Sequence, residues 1–166
     1  MTLAGHFLKN RSGKGCVQED KMKIVIQRVK EAAVDVKEEE ISRIRTGLCL
    51  LVGVEKGDTE NDARFLAQKV TGLRLFPDNE GKMNLSLRDA GGEILAISQF
   101  TLAGSIKKGR RPSFDNAETP DKAEALFQRF VRFMRDDGFD VETGRFGALM
   151  EVRLVNEGPV TFILSS

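Results

Sequence analysis

Seven residues constrain the architecture more than any others. Leu48 to Val54, LCLLVGV, is nearly all apolar and is closed by Lys56-Gly57-Asp58. A branched run this short, with no polar face, suits a strand covered on both sides better than a helix. The chain must therefore supply packing for both faces of a sheet. Met22 to Val29, MKIVIQRV, is a second β-branched run, and the alternation of Val34, Val36, Ile41 and Ile44 after it predicts an opening hairpin or meander.

The period then changes. Ala63, Leu66, Ala67, Val70 and Leu73 fall at helical spacing between Thr59 and Leu75, with Asp58 or Thr59 as N-cap and acids in the first turn. A second helix begins at Thr119-Pro120, repeats through Ala123, Leu126, Phe127, Phe130, Phe133 and Met134, and stops at Gly138. Between them, turns at Pro77 to Gly81 and at Gly91-Gly92 precede a long strand from Glu93 to Leu102. Two closing strands, Ala148 to Val155 and Val160 to Leu164, flank the turn Asn156-Glu157-Gly158-Pro159. Strands, helix, strands, helix, strands is not the regular alternation of a doubly wound sheet. It predicts a two-layer α+β domain with two main helices on a mixed, mostly antiparallel sheet.

At 166 residues the chain fits one domain with a sizeable core. Twenty-six basic against 25 acidic residues leave a net charge of +1, so no global basic field announces nucleic acid. No apolar run approaches the roughly 20 residues of a membrane helix. Two cysteines, Cys16 and Cys49, and no visible secretory signal lead to the expectation of a soluble, cytoplasmic, reduced protein. Residues 1–21 lack periodicity and read as a disordered extension, alternative start or expression remnant, leaving 22–166 as the domain.

The only histidine, His6, lies in that extension. The folded part can therefore assemble no Ser-His-Asp or Cys-His arrangement and no histidine-containing metal site. Neither a phosphate-binding GxxxxGK[ST] loop nor a GxGxxG fingerprint is present. Cys49, inside the apolar run, reads as a packed small hydrophobe. Three segments hold unplaced polarity. Ser98-Gln99-Phe100-Thr101 ends an apolar strand, with Ser98 and Phe100 pointing one way and Gln99 and Thr101 the other; pattern alone favours a strand leaving the core over a site. Asn156 to Pro159 reads first as a turn. Lys107, Lys108, Arg110 and Arg111 put four cations in five positions, either a solvated loop or a phosphate contact.

Seven stretches in order resemble the D-aminoacyl-tRNA deacylase family: IQRV (Ile26 to Val29), LLVGVEKGD (Leu50 to Asp58), EGKMN (Glu80 to Asn84), SQFTL (Ser98 to Leu102), RPSF (Arg111 to Phe114), TGRFGALM (Thr143 to Met150) and LVNEGPVTF (Leu154 to Phe162). The likeness covers Met22 to Leu164. It implies an ester hydrolase that removes D-amino acids from mischarged tRNA, a chiral proofreading step in translation quality control, with no metal and no cofactor. The resemblance places Ser98, Gln99, Phe100 and Thr101 on the floor of the catalytic site, with main-chain groups facing the ester and the ribose. Without a base beside it Thr101 would orient rather than attack, and the neighbouring ribose hydroxyl would take part.

Gly158-Pro159 is implied to be a cis peptide that enters the partner subunit's site in an obligate homodimer. There its carbonyls would hold the substrate's amino group and leave an L side chain no room. Glycine, with no side chain to clash, would also be accepted. Arg28 is implied to support that loop, and Phe146 and Met150 to line a pocket for the terminal adenosine, although the same two residues also suit ordinary core packing. Lys107, Lys108, Arg110 and Arg111 would contact tRNA phosphates. Two readings of other classes remain: a nucleic-acid-binding or scaffolding protein that keeps the fold without cleaving, and a ligand-binding dimer unconnected to tRNA.

Overall fold

A computed structural model describes residues 21–107 and 109–166. His6, Cys16 and the proposed extension up to residue 20, together with Lys108, lie outside the described residues.

The organising element is β1 (Lys23–Val36), fourteen residues long. It turns through Lys37-Glu38 into β2 (Glu39–Ile44), which leads to β3 (Gly47–Gly53). The two lie end to end along the same edge of β1: Val36 pairs Glu39, Ala32 pairs Ile44, and the same register resumes at Val29 with Gly47 and runs to Lys23 with Gly53. The expected opening hairpin is thus one long antiparallel ribbon. β6 (Glu93–Ser98) lies parallel to β3, and β7 (Val141–Thr143) parallel to β6. A small hairpin of β4 (Phe76–Pro77) and β5 (Met83–Leu85) stands apart. β8 (Glu151–Ser165) covers the other edge of β1 along its whole length.

Two helices pack on one face of this sheet. In α1 (Glu60–Gly72) the Thr59 side chain accepts from the Asp62 amide while the Asp62 carboxylate accepts from the Thr59 amide, a reciprocal cap that explains the sharp start. α2 (Pro120–Asp136) opens with proline at its first position, where a missing N–H costs nothing, and ends before Gly138 at φ 85°. Their apolar stripes, including Leu66, Val70, Phe127, Phe130 and Met134, meet Ile24, Ile26, Leu48, Leu50, Val52, Ile94 and Ala96. Cys49, Leu95 and Ile97 face the opposite way with Val29, Val34 and Ile44, and Leu51, Met150 and Leu154 pack against them. The LCLLVGV run is therefore covered on both sides, as its composition requires. Burial of the Cys49 thiol pushes its pKa up to about 11, so it is inert as a nucleophile at neutral pH. The Asp58 carboxylate accepts from the Met22 and Glu55 amides at 2.8 and 2.7 Å, tying the start of β1 to the loop after β3.

Two expectations change. The strand read as Glu93 to Leu102 stops at Ser98, and Phe100–Ala103 forms a 3₁₀ turn. Its parallel neighbour β3 ends at Gly53, where a Cβ would lie 2.7 Å from the Leu102 Cβ; the chain folds over that glycine instead of continuing. The residues from Gln99 onward consequently do not alternate as strand residues would. The two closing strands are in fact one, β8, interrupted by a bulge. From Gln27 to Val29 is two steps on β1, but their partners Thr161 and Asn156 are five apart on β8. The intervening residues must loop out.

Candidate functional site

The end of β6 floors a cavity of about 520 Å³. Ile97, Ser98, Gln99 and Phe100 form one side, Phe146, Met150 and Leu149 come from the loop after β7, and Val54, Pro120 and Ala123 come from the β3 end and the start of α2. The lining is largely apolar, as pockets for planar organic groups are, with Ser98 and Gln99 at the strand end and Glu118 just before α2 as its polar side chains. The loop owes its shape to its glycines. A Cβ on Gly144 would stand 2.6 Å from the Met150 sulfur, so only glycine lets that side chain fold back, while Gly147 takes φ 72°. Phe146 rests on Phe127 of α2 with ring centroids 6.4 Å apart, which fixes the cavity wall to the main core.

Thr101 stands just beyond the lining residues. Its hydroxyl accepts a hydrogen bond from Gln99 Nε2 at 2.5 Å, and its carbonyl accepts from the Gly104 amide at 3.0 Å. An amide cannot take a proton from the hydroxyl, so nothing in this contact activates Thr101 as a nucleophile. The Gln99 N–H is already bonded to the Val52 carbonyl, whereas the amides of Phe100 and Thr101 open the 3₁₀ turn, where the geometry offers no acceptor within the turn.

Arg28, Gly158 and Pro159 form a second locus. The bulge of β8 lies over Arg28, which has no register partner on β8. The Arg28 guanidinium is buried, donates to the Leu75 carbonyl at 2.6 Å, and has Glu157 3.5 Å from its Nε. The Gly158–Pro159 peptide is cis, with Gly158 at φ 135°. Both residues are exposed. Asn156 closes the base of the loop: its Oδ1 accepts from the Val160 amide at 2.8 Å, and its Nδ2 donates to Thr161 Oγ1 at 3.1 Å. The sequence reading placed Asn156 in the turn but not among the site residues. The available signal was an Asn two residues before Gly-Pro, the type whose side chain bonds nearby backbone in turns.

The two loci are well separated within one chain. Ser98 is in register with Val52 and hence with Ile24, whereas the loop lies over Arg28, four residues further along β1. None of Arg28, Gly158 and Pro159 is among the residues that line the cavity. The structure thus gathers Ser98, Gln99, Phe100, Phe146 and Met150 around one cavity, leaves Thr101 at its edge, and sets Arg28, Gly158 and Pro159 apart.

The basic segment forms a loop closed by the Ser105–Ser113 bridge, their amides donating to each other's carbonyls at 2.7 and 2.9 Å. Lys107, Arg110 and Arg111 are exposed on it; Lys108 is outside the described residues. Among the described residues no group of three or more His, Cys, Asp or Glu side chains could hold a metal ion, and no helix is long and apolar enough to cross a membrane.

Fold and site together define a class: an α+β protein with a largely apolar pocket at the end of a central strand, where Ser98 and Gln99 stand on the floor and Glu118 is the titratable side chain of the lining. The family model described as D-Tyr-tRNA(Tyr) deacylase matches residues 25–165, and the chain belongs to that family. It is 60% identical over 145 residues to a D-aminoacyl-tRNA deacylase of Geobacter metallireducens, a match covering 87% of this chain and 96% of the relative. A D-aminoacyl-tRNA deacylase of Thermotoga petrophila is 54% identical, covering 87% and 97%. Among solved structures, one titled c-Myc DNA Unwinding Element Binding Protein superposes with TM-score 0.82 at 38% identity, covering 87% of this chain and 98% of that one. A structure titled as a probable eukaryotic D-amino acid tRNA deacylase has TM-score 0.75 at 20% identity, covering 87% and 99%, and shares the fold.

Proposed function

We propose that the protein hydrolyses the ester between a D-amino acid and the terminal adenosine of tRNA, releasing both. The observation that carries this reading is the cavity itself, in which Ser98, Gln99 and Phe100 of the strand end meet Phe146 and Met150 of the TGRFGALM loop around a space with room for a nucleoside. Adenine would lie against the apolar wall of Phe146 and Met150. The ester carbonyl would face the main chain at Phe100 and Thr101, whose amides could receive the negative charge that develops on its oxygen. Thr101, fixed by Gln99, would orient the substrate. The ribose hydroxyl beside the ester would assist water, an effectively intramolecular participation that needs no protein base.

Selection between the two hands is assigned to Gly158 and Pro159, acting in the site of a second copy, with Arg28 supporting the loop from below. Two features favour a second copy. Gly158 and Pro159 do not line the cavity of their own chain. β8 has β1 on one edge and, among the described residues, no strand on the other, while exposing Val155, Phe162 and Ile163. A two-fold homodimer would cover this edge and complete two identical sites at once. An L side chain would then meet the entering backbone and a D side chain would point away; glycyl-tRNA, lacking a side chain, would be cleaved too. Lys107, Lys108, Arg110 and Arg111 would meet acceptor-stem phosphates, so their reversal to Glu should weaken tRNA binding and flatten its salt dependence.

The name of the DNA unwinding element binding protein favours one alternative, a nucleic-acid binder that does not cleave. Incubation with D-tyrosyl-tRNA and L-tyrosyl-tRNA in parallel, in the presence of chelator, separates the two. Turnover of the D ester alone is expected. Binding of tRNA without loss of either ester would replace the hydrolase with the binder, and a trapped acyl-Thr101 ester would replace the substrate-assisted route with a covalent one.

A further inference from the structure

Phe100 and Phe114 form an exposed aromatic pair whose side chains the hydrolytic reading, which draws only on the Phe100 main chain, does not use. Phe100 borders the cavity yet leaves 58% of its surface open, and Phe114, 38% exposed, lies beside it with ring centroids 5.1 Å apart at 56°. Phenylalanine is seldom left this open without a partner. The pair is also built into place. Gly104 has φ −73°, which any residue adopts, but a Cβ there would come within 2.8 Å of Phe114 Cε1, so this glycine makes space for the ring.

Phe114 directly follows Ser113, one half of the bridge that closes the basic loop. On that loop no ion pair occupies Lys107, Arg110 or Arg111 among the described residues, and Ile106 is 79% exposed beside them. The cavity, the aromatic pair and the base of the basic loop are therefore contiguous. Open aromatic faces beside a positively charged track are how proteins hold single-stranded nucleic acid, because every base has a face to stack while the cations follow the phosphates.

We infer that the Phe100–Phe114 pair is a stacking platform for the unpaired nucleotide that precedes the terminal adenosine. The inference rests on the reading of the cavity as the adenosine site. A nucleotide chain leaving the cavity past Phe100 crosses these rings before its phosphates reach the basic loop. Stacking of this kind is sequence-tolerant, so the platform would hold the strand without choosing among tRNAs.

The test compares hydrolysis of D-tyrosyl-tRNA with that of the same tRNA made abasic at the nucleotide before the terminal adenosine, using the full chain, Phe114→Leu and Phe114→Tyr. Loss of the base should raise KM about tenfold for the unaltered protein. Phe114→Leu should suffer the same increase on intact tRNA and be indifferent to the missing base, and Phe114→Tyr should restore the difference. Equal KM values for the two tRNAs with the unaltered protein would overturn the inference, whatever the variants do. So would a Phe114→Leu protein that remains fully sensitive to the missing base. A parallel Kd measurement with uncharged intact and abasic tRNA keeps the platform separate from the chemistry: a base-dependent Kd without turnover would sustain the platform and remove the hydrolase.

Discussion

The cavity and the Gly-Pro loop lie on the same sheet and are built in opposite ways. The cavity is an extension of the core: Phe146 leans on Phe127, Met150 folds over Gly144, and the floor is the end of a central strand. The loop belongs to an edge strand, is exposed at Gly158 and Pro159, and takes its shape from one local staple, Asn156, and from Arg28 beneath. A wall made by the core inherits the stability of the core. A loop made locally can be reshaped without unfolding the domain, and is displayed where another molecule can meet it.

Predictions that break this contrast begin with the core. Phe127→Ala should cost about 3–5 kcal/mol of stability, because it empties a buried site and also removes the support of Phe146. Chemical denaturation should show the lowered midpoint together with lost turnover; full activity in a strongly destabilised protein would separate wall from core. Gly158→Ala should do the reverse. Its Cβ would stand 2.7 Å from Val160 Cγ2 at a φ that L residues avoid, so the loop must shift while the core does not. A displacement near 1 Å at a reacting centre costs about 10²-fold in rate, which single-turnover kinetics would detect against a nearly unchanged melting temperature.

Asn156→Ala sharpens the comparison. It removes the hydrogen bonds at the loop base, including those of 2.8 Å to the Val160 amide and 3.1 Å to Thr161, and should lower stability by about 1–2 kcal/mol. Discrimination should suffer more than rate: the ratio of D to L turnover should fall while L-tyrosyl-tRNA becomes a measurable substrate. An unchanged ratio would show that the staple does not set the loop. The smallest effect concerns Cys49. Its thiol ionises near 11 in the folded chain against an ordinary 9.0, so between these values the unfolded chain loses a proton that the folded chain keeps. Stability is therefore whole below pH 9 and falls as pH rises through that window. Denaturation curves at pH 8 and pH 10.5 should converge in Cys49→Ala relative to the unaltered protein, and native-state alkylation of Cys49 should be slow throughout.

Both helices were legible because their signals are local: a Thr cap with Asp62 three residues on, a proline at a first turn, apolar residues every third or fourth position. The doubly covered strand was legible because no polar residue offers it a wet face. Of the stretches singled out in the sequence, SQFT and TGRFGALM contribute to the cavity lining and NEGP forms the loop that β8 expels. Their mutual arrangement was less legible. Reading Glu93 to Leu102 as one strand predicted alternating faces for Ser98 to Thr101, whereas the turn over Gly53 bonds Gln99 to Thr101. Periodicity reports which residues are apolar and cannot report where a neighbouring strand stops.

What this sequence determined by itself was the set of buried faces, since burial of apolar area is the main driving force and its pattern is written in residue order. Membership of the domain's helices and central strands follows from that alone. Tertiary structure decided what depends on registers between distant strands: that two closing strands are one, that the three-residue excess of β8 over β1 between Asn156 and Thr161 expels the Gly-Pro loop, and that Ser98 and Gly158 lie four residues and three strands apart. Register is set by cooperative pairing along whole strands, so it exists only once those strands have met.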